Sequence, residues 1–146
     1  TYTPEYGAQM RGGNASVKLK ISDDPIVNPY MEKVDILVAM HTLPLPMYID
    51  MVQAGATIVA EEEMVHDLEV ADGVQVIYIP ANKIATEMKN PRGMSAVMAG
   101  AVVALTGVFP YEDGIAAVSE YYAHKGIPVE INRDAFIAGY NYIAKK

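Results

Sequence analysis

The chain has no cysteine. Disulfides, thiolate nucleophiles and iron–sulfur clusters held by its own side chains are thereby excluded. Basic clusters are missing too: three consecutive Lys or Arg residues occur nowhere, and 18 acidic residues against 11 basic ones leave a net charge of −7. Such a surface repels phosphate backbones, so nucleic acid is not an expected partner. No basic segment followed by an apolar one opens the chain, so it carries no mark for secretion and is expected in the cytoplasm. Repeats and low-complexity stretches are also absent. What is there is an ordinary globular composition, 51% hydrophobic and 20% charged over 146 residues, enough for one domain with a sizeable core.

The longest uncharged run, Gly93 to Pro110, is about 18 residues, the lower edge of a membrane span. Gly93, Ser95, Gly100, Thr106, Gly107 and Pro110 interrupt it, and Glu112 and Asp113 follow closely, so the reading is a buried helix and no membrane. Met94, Val97, Met98, Ala101, Val102 and Leu105 form one apolar face of that helix, and Ala96, Gly100 and Ala104 a stripe of small residues on the other. Small residues let another helix approach closely, so the stripe is expected to face a partner subunit.

Ser16 to Ile21 alternates Val17, Leu19 and Ile21 with Ser16, Lys18 and Lys20, the pattern of an edge or half-covered strand. Val34 to Met40 is nearly continuous in apolar residues and predicts a strand covered on both faces. Pro44 to Gln53 carries Leu45, Tyr48, Ile49 and Val52 at helical spacing and runs into Gly55, a C-terminal glycine signal. A short strand, Thr57 to Ala60, follows, completing a strand–helix–strand unit. Val74 to Ile79 and Ala81 to Met88 repeat the theme, and helices are expected over about 91–105, 111–124 and 132–144. The fold class is α/β: an open, mostly parallel Rossmann-like sheet flanked by helices, with a helical C-terminal part.

Candidate chemistry is sparse. His41, His66 and His124 are too far apart for a local metal motif, and no metal site is expected. His66 could share a helical face with Glu62 or Glu63, but Glu61, Glu62, Glu63, Asp67, Glu69 and Asp72 read better as a solvated acidic face. His41 directly follows the Val34–Met40 strand, where ligands of open α/β sheets collect; the competing role is a hydrogen-bonded histidine in the loop. No Gly-x-Ser-x-Gly or Ser-His-Asp arrangement accompanies it. Two places suit anions. In Arg11-Gly12-Gly13-Asn14, paired glycines expose backbone N–H groups beside a guanidinium fork, although a plain glycine turn has the same composition. In Asn90-Pro91-Arg92, an Asn N-cap and a Pro at the first helical position precede a cation where the helix dipole disfavours one, so Arg92 either reaches solvent or a carboxylate at an interface, or meets an anion.

The string Tyr6-Gly7-Ala8-Gln9-Met10-Arg11-Gly12-Gly13-Asn14-Ala15-Ser16-Val17, followed by Ile21-Ser22-Asp23-Asp24-Pro25-Ile26, resembles the gamma subunit of 2-oxoacid:ferredoxin oxidoreductases. Asp35 to Met40, Gly55 to Val59, Asn90-Pro91-Arg92 and Ala104 to Gly107 fall in the order that family shows, so the resemblance covers nearly the whole chain. One departure stands out. Family members open with a strand and a Gly-Gly-x-Gly loop leading into a helix, and this chain starts at Thr1 without that unit, so it is expected to be an N-terminally incomplete gamma-type domain spanning residues 1–146.

The resemblance implies a multi-subunit enzyme that converts a 2-oxoacid, coenzyme A and oxidised ferredoxin into acyl-CoA, CO2 and reduced ferredoxin. Thiamine diphosphate and iron–sulfur clusters would sit in partner subunits: alpha, beta and a ferredoxin-like delta subunit. This chain would be non-catalytic, shaping the assembly and helping to hold coenzyme A through Tyr6, Gly7, Arg11, Gly12, Gly13, His41, Asn90 and Arg92. Met-Arg-Gly-Gly-Asn-Ala looks more like the 2-oxoglutarate or branched-chain types than the pyruvate type. The alternatives are a free-standing nucleotide or acyl-CoA binding module and a purely structural interaction subunit.

Overall fold

The computed structural model describes residues 2–6, 15–28, 30–66 and 68–145. Two strands, β1 (Tyr2–Tyr6) and β2 (Ala15–Leu19), form an antiparallel ribbon with Tyr6 opposite Ala15. The main sheet holds β3 (Val34–Ala39), β4 (Val52–Glu61) and β5 (Gln75–Ile79), all parallel, in the order β3-β4-β5. Four helices follow: α1 (Ala81–Glu87), α2 (Met94–Thr106), α3 (Tyr111–His124) and α4 (Val129–Ala144). This is the expected α/β sheet with a helical C-terminal part.

The sheet has different cover on its two faces. Val59 and Ile79 point into a core with Ala81 and Ala85 of α1, Val97, Met98 and Ala101 of α2, and Ala135 and Phe136 of α4. Ala39, Ile58 and Ala60 point the other way, against Leu45 and Val65 of the connecting loops. The doubly covered strand is therefore β4, with Ile58, Val59, Ala60 and Glu61 all buried, and not β3. The helix layer lies over β4 and β5, and it leaves Ile36 and Val38 of β3 37% and 40% exposed. An apolar run reports hydrophobicity; a strand's place in the layer decides how many faces are covered.

Other expectations are corrected. Ser16 to Leu19 does form the expected edge strand, but among the described residues it pairs with β1 alone, in a ribbon separate from the parallel sheet, and Val17, Leu19 and Ile21 are exposed. No α-helix spans 44–53. Two short 3₁₀ turns, Leu45–Met47 and Ile49–Met51, stand there, because the backbone at Tyr48 leaves the helical region (φ −123°) and breaks the ladder after the first turn. Gly55 ends no helix; it lies inside β4 at φ +83°, where the β3 register slips between Val34 and Ile36, and its N–H donates to the Gly73 carbonyl. α4 begins at Val129, right after Pro128, earlier than the apolar pattern indicates.

The small-residue stripe of α2 faces α4 of the same chain, not another subunit. A Cβ built on Gly100 would lie 2.0 Å from the Phe136 carbonyl oxygen, and one on Gly139 1.9 Å from that of Val97. Ala96 and Gly100 are buried there, while Ala104 stays partly exposed. α2 closes on Gly107 in the left-handed conformation, its N–H bonded to the Val103 carbonyl. Among the described residues no helix is long and apolar enough to cross a membrane.

Candidate functional site

The carboxyl ends of parallel strands collect ligands because loops diverge there and helix N-termini point at the gap. At this edge Glu61, the last residue of β4, is fully buried. Its Oε2 accepts N–H bonds from Glu63 and Met64, both 2.8 Å, and its Oε1 accepts one from Asn82 in the first turn of α1, 2.9 Å. One carboxylate thus closes the loop after β4 and satisfies a helix donor that would otherwise face the crevice. Asn82 Nδ2 also donates to Glu63. The acidic stretch is therefore not uniformly solvated: Glu61 is its structural pin, while Glu62, Glu63, Glu69 and Asp72 are exposed as expected.

His41 and Thr42 leave β3 beside this loop. Thr42 N–H and Oγ1–H both donate to the Met64 carbonyl, at 3.1 and 2.9 Å. His41 is exposed, and its Nδ1 accepts the Leu43 N–H at 3.1 Å. His41 thus makes the hydrogen bond expected of a loop histidine, and in the neutral ring Nε2–H remains as a donor. Further along the same connection, Tyr48 Oη lies 2.7 Å from Ser16 Oγ. That bond ties β2 to the connection that starts at His41, and Tyr6, at the end of β1, pairs next to Ser16. Gly7, Arg11, Gly12 and Gly13 lie between the two ribbon strands, outside the described residues.

Asn90 and Arg92 sit elsewhere, between α1 and α2. Asn90 caps nothing with its side chain. Its Nδ2 donates to Asn132 Oδ1 (2.9 Å) and to the Ile131 carbonyl (3.5 Å), while Asn132 Nδ2 donates to the Pro128 carbonyl (2.7 Å). The pair clamps the start of α4 to the start of α2, with buried Gly93 leaving room for the amide. Arg92 is exposed in the 3₁₀ turn before α2. His41 thus lies on the connection between β3 and β4, and Asn90 and Arg92 on the separate one between α1 and α2.

No set of three or more His, Asp or Glu side chains able to hold a metal occurs among the described residues. Glu61, Thr42 and Asn132 are the residues that sequence reasoning missed. Glu61 alone carried a signal, its position directly after the apolar run Thr57–Ala60.

Comparison with known proteins decides what the scaffold belongs to. The family model described as pyruvate ferredoxin/flavodoxin oxidoreductase matches residues 1–142. The chain belongs to this family. It is 33% identical to the 2-oxoglutarate synthase subunit KorC of Methanocaldococcus jannaschii, over 99% of this chain and 76% of that subunit. It is 36% identical to KorC of Methanothermobacter marburgensis, over 73% of this chain and 60% of that protein. The chain thus spans three fifths to three quarters of these relatives' length. Solved structures share the fold. The keto/oxoacid ferredoxin oxidoreductase gamma subunit of Geobacter sulfurreducens superposes with a TM-score of 0.78 at 24% identity, covering 100% of this chain and 80% of that one. A 2-oxoglutarate:ferredoxin oxidoreductase from Magnetococcus marinus, solved with 2-oxoglutarate, coenzyme A and succinyl-CoA bound, gives 0.87 at 22%, covering 99% of this chain and 26% of that one.

Proposed function

We propose that this chain is the non-catalytic gamma component of a multi-subunit 2-oxoacid:ferredoxin oxidoreductase, and that 2-oxoglutarate is the oxoacid. The observation that carries the reading is the alignment of 99% of the chain with a 2-oxoglutarate synthase subunit. Two features support it. The chain has no cysteine for a cluster, and both carboxylate oxygens of Glu61, the one acid buried among the described residues, are engaged in holding loops. Thiamine diphosphate and the clusters then belong to alpha, beta and ferredoxin-like delta subunits, ferredoxin is the electron acceptor, and the complex is cytoplasmic.

Coenzyme A is the cofactor this component touches. Its phosphates suit the backbone donors and guanidinium of Arg11-Gly12-Gly13, with Tyr6 and Gly7 leading into that loop and exposed His41 at the carboxyl end of β3 as a further donor. Asn90 enters as a positioning residue, because its amide is engaged with α4 and fixes the turn that displays Arg92. The test is isolation of the chain from its native source, identification of its companions, and assay of the complex for 2-oxoglutarate- and coenzyme A-dependent ferredoxin reduction. Isolation as a monomer without companions would overturn the assignment in favour of a free-standing acyl-CoA binding module.

A further inference from the structure

The chain contains the pairs Asp72-Gly73 and Asp113-Gly114, and the fold treats them oppositely. Asp113 and Gly114 stand in the first turn of α3. There the Gly114 N–H donates to the Pro110 carbonyl at 3.1 Å, and Gly114 is buried against the Phe136 ring. Asp72 and Gly73 form the corner that leads into β5. The Val74 N–H donates to the Ala71 carbonyl at 3.2 Å across it, Asp72 keeps a negative φ and Gly73 stands at φ +84°, the turn type that takes glycine at its third position. Ala71, Asp72 and Gly73 are exposed, and a Cβ built on Gly73 would meet only the Gly55 nitrogen, at 3.9 Å. Among the described residues the Gly73 N–H has no acceptor and the Asp72 carboxylate has no donor.

A glycine nitrogen, with no side chain of its own to crowd it, can attack Cγ of the preceding aspartic acid. An N–Cγ bond forms, the Cγ–OH bond breaks, and the hydroxyl leaves with the amide proton as water, giving a succinimide. Water then opens the ring. Attack at Cγ restores aspartate; attack at the former main-chain carbonyl leaves the chain running through Cβ and Cγ, which is isoaspartate. Water leaves and water returns, so the product is an isomer and nothing is oxidised or reduced. We propose that Asp72-Gly73 is a site of isoaspartate formation in the folded protein and that Asp113-Gly114, made of the same two residues, is not. Closure at Asp113 must first break the Gly114–Pro110 bond and lift the glycine away from Phe136, whereas at Asp72 the attacking nitrogen is already free. The product bears on the sheet. One extra main-chain atom enters just before Gly73, whose carbonyl accepts the Gly55 N–H at 3.2 Å and so ties the approach to β5 to β4.

The test holds the protein purified from its source, with any companions it carries, in neutral buffer for weeks. Peptides covering the two pairs are then compared by electron-transfer mass spectrometry, which distinguishes isoaspartate from aspartate. Isoaspartate at 72 should exceed that at 113 by on the order of tenfold or more, and in urea the two should accumulate at similar rates. Asp72→Glu keeps the charge but would have to close a larger ring, so it should remove the signal at 72 and leave 113 unchanged. In the isomerised fraction the Gly55 and Val74 amides should exchange hydrogen faster than in the intact protein. Native protein in which 72 is as unreactive as 113, while both react in urea, would overturn the proposal, whether the fold or a companion shields the turn. Equal accumulation at both sites in native buffer would overturn it as well, by showing that the turn confers nothing. The comparison of sites is made within one unaltered protein, so it decides even if Asp72→Glu does not fold.

Discussion

Glu61 shows how one side chain settles a strand end. Its buried carboxylate serves three backbone donors at part-buried positions, so truncation removes all three bonds at once. Glu61→Ala should destabilise the isolated chain by about 3 kcal/mol or more, and Glu61→Gln by about 1–3 kcal/mol because the amide keeps one acceptor. Urea unfolding of the three proteins checks the order, and equal midpoints would show that the loop does not depend on the pin. Lys89 is the opposite case, a residue the fold tolerates rather than needs. It ends α1 at φ +57°, with the Asn90 N–H bonded to the Ala85 carbonyl across the turn. Lys89→Gly should raise stability by about 1 kcal/mol by removing the left-handed strain, read as a higher thermal midpoint.

At the scale of elements, the α2–α4 crossing governs the helical half. Gly100 and Gly139 each admit a backbone carbonyl of the other helix, and Phe136, beside the contact, is fully buried with its ring against Gly114. A methyl at position 100 meets backbone, which cannot swing aside as a flexible side chain can. Gly100→Ala should therefore cost about 1–3 kcal/mol of fold stability through overpacking. Ala104→Val, on the partly exposed end of the same stripe, should cost much less. Were Gly100→Ala to leave unfolding unchanged while abolishing assembly, the stripe would after all serve a partner. The 44–53 segment teaches a related point: helical spacing of Leu45, Tyr48, Ile49 and Val52 survives as burial of Leu45 in the loop-side core, although the break at Tyr48 divides the backbone into two 3₁₀ turns.

For the whole molecule, the prediction concerns coenzyme A in the assembled enzyme. Arg11→Ala should weaken its use by about 1.5–3 kcal/mol, the range for hydrogen bonds to charged groups. Arg11→Lys should give an intermediate defect if the guanidinium contacts phosphate through both of its prongs, and little defect if charge alone matters. Apparent coenzyme A affinity and assembly state, measured together, separate the outcomes: unchanged affinity in an intact complex removes the ligand role, and failed assembly reassigns Arg11 to an interface.

The sequence by itself determined the α/β class, most element positions and the family, because periodicity, glycine and proline punctuation and a continuous run such as Tyr6 to Val17 are local properties of the chain. Helix 111–124 and the strand ending at Ile79 were legible for that reason. Tertiary structure alone decided which strand lies central, what covers the stripe of α2, and whether an acid in a run of acids is solvated or buried. Each depends on which distant segment arrives against a residue: α4 comes to Gly100, and the α1 N-terminus comes to Glu61. Those pairings are set by the closing of the whole chain around β4, and nothing within a few residues of Gly100 or Glu61 encodes them.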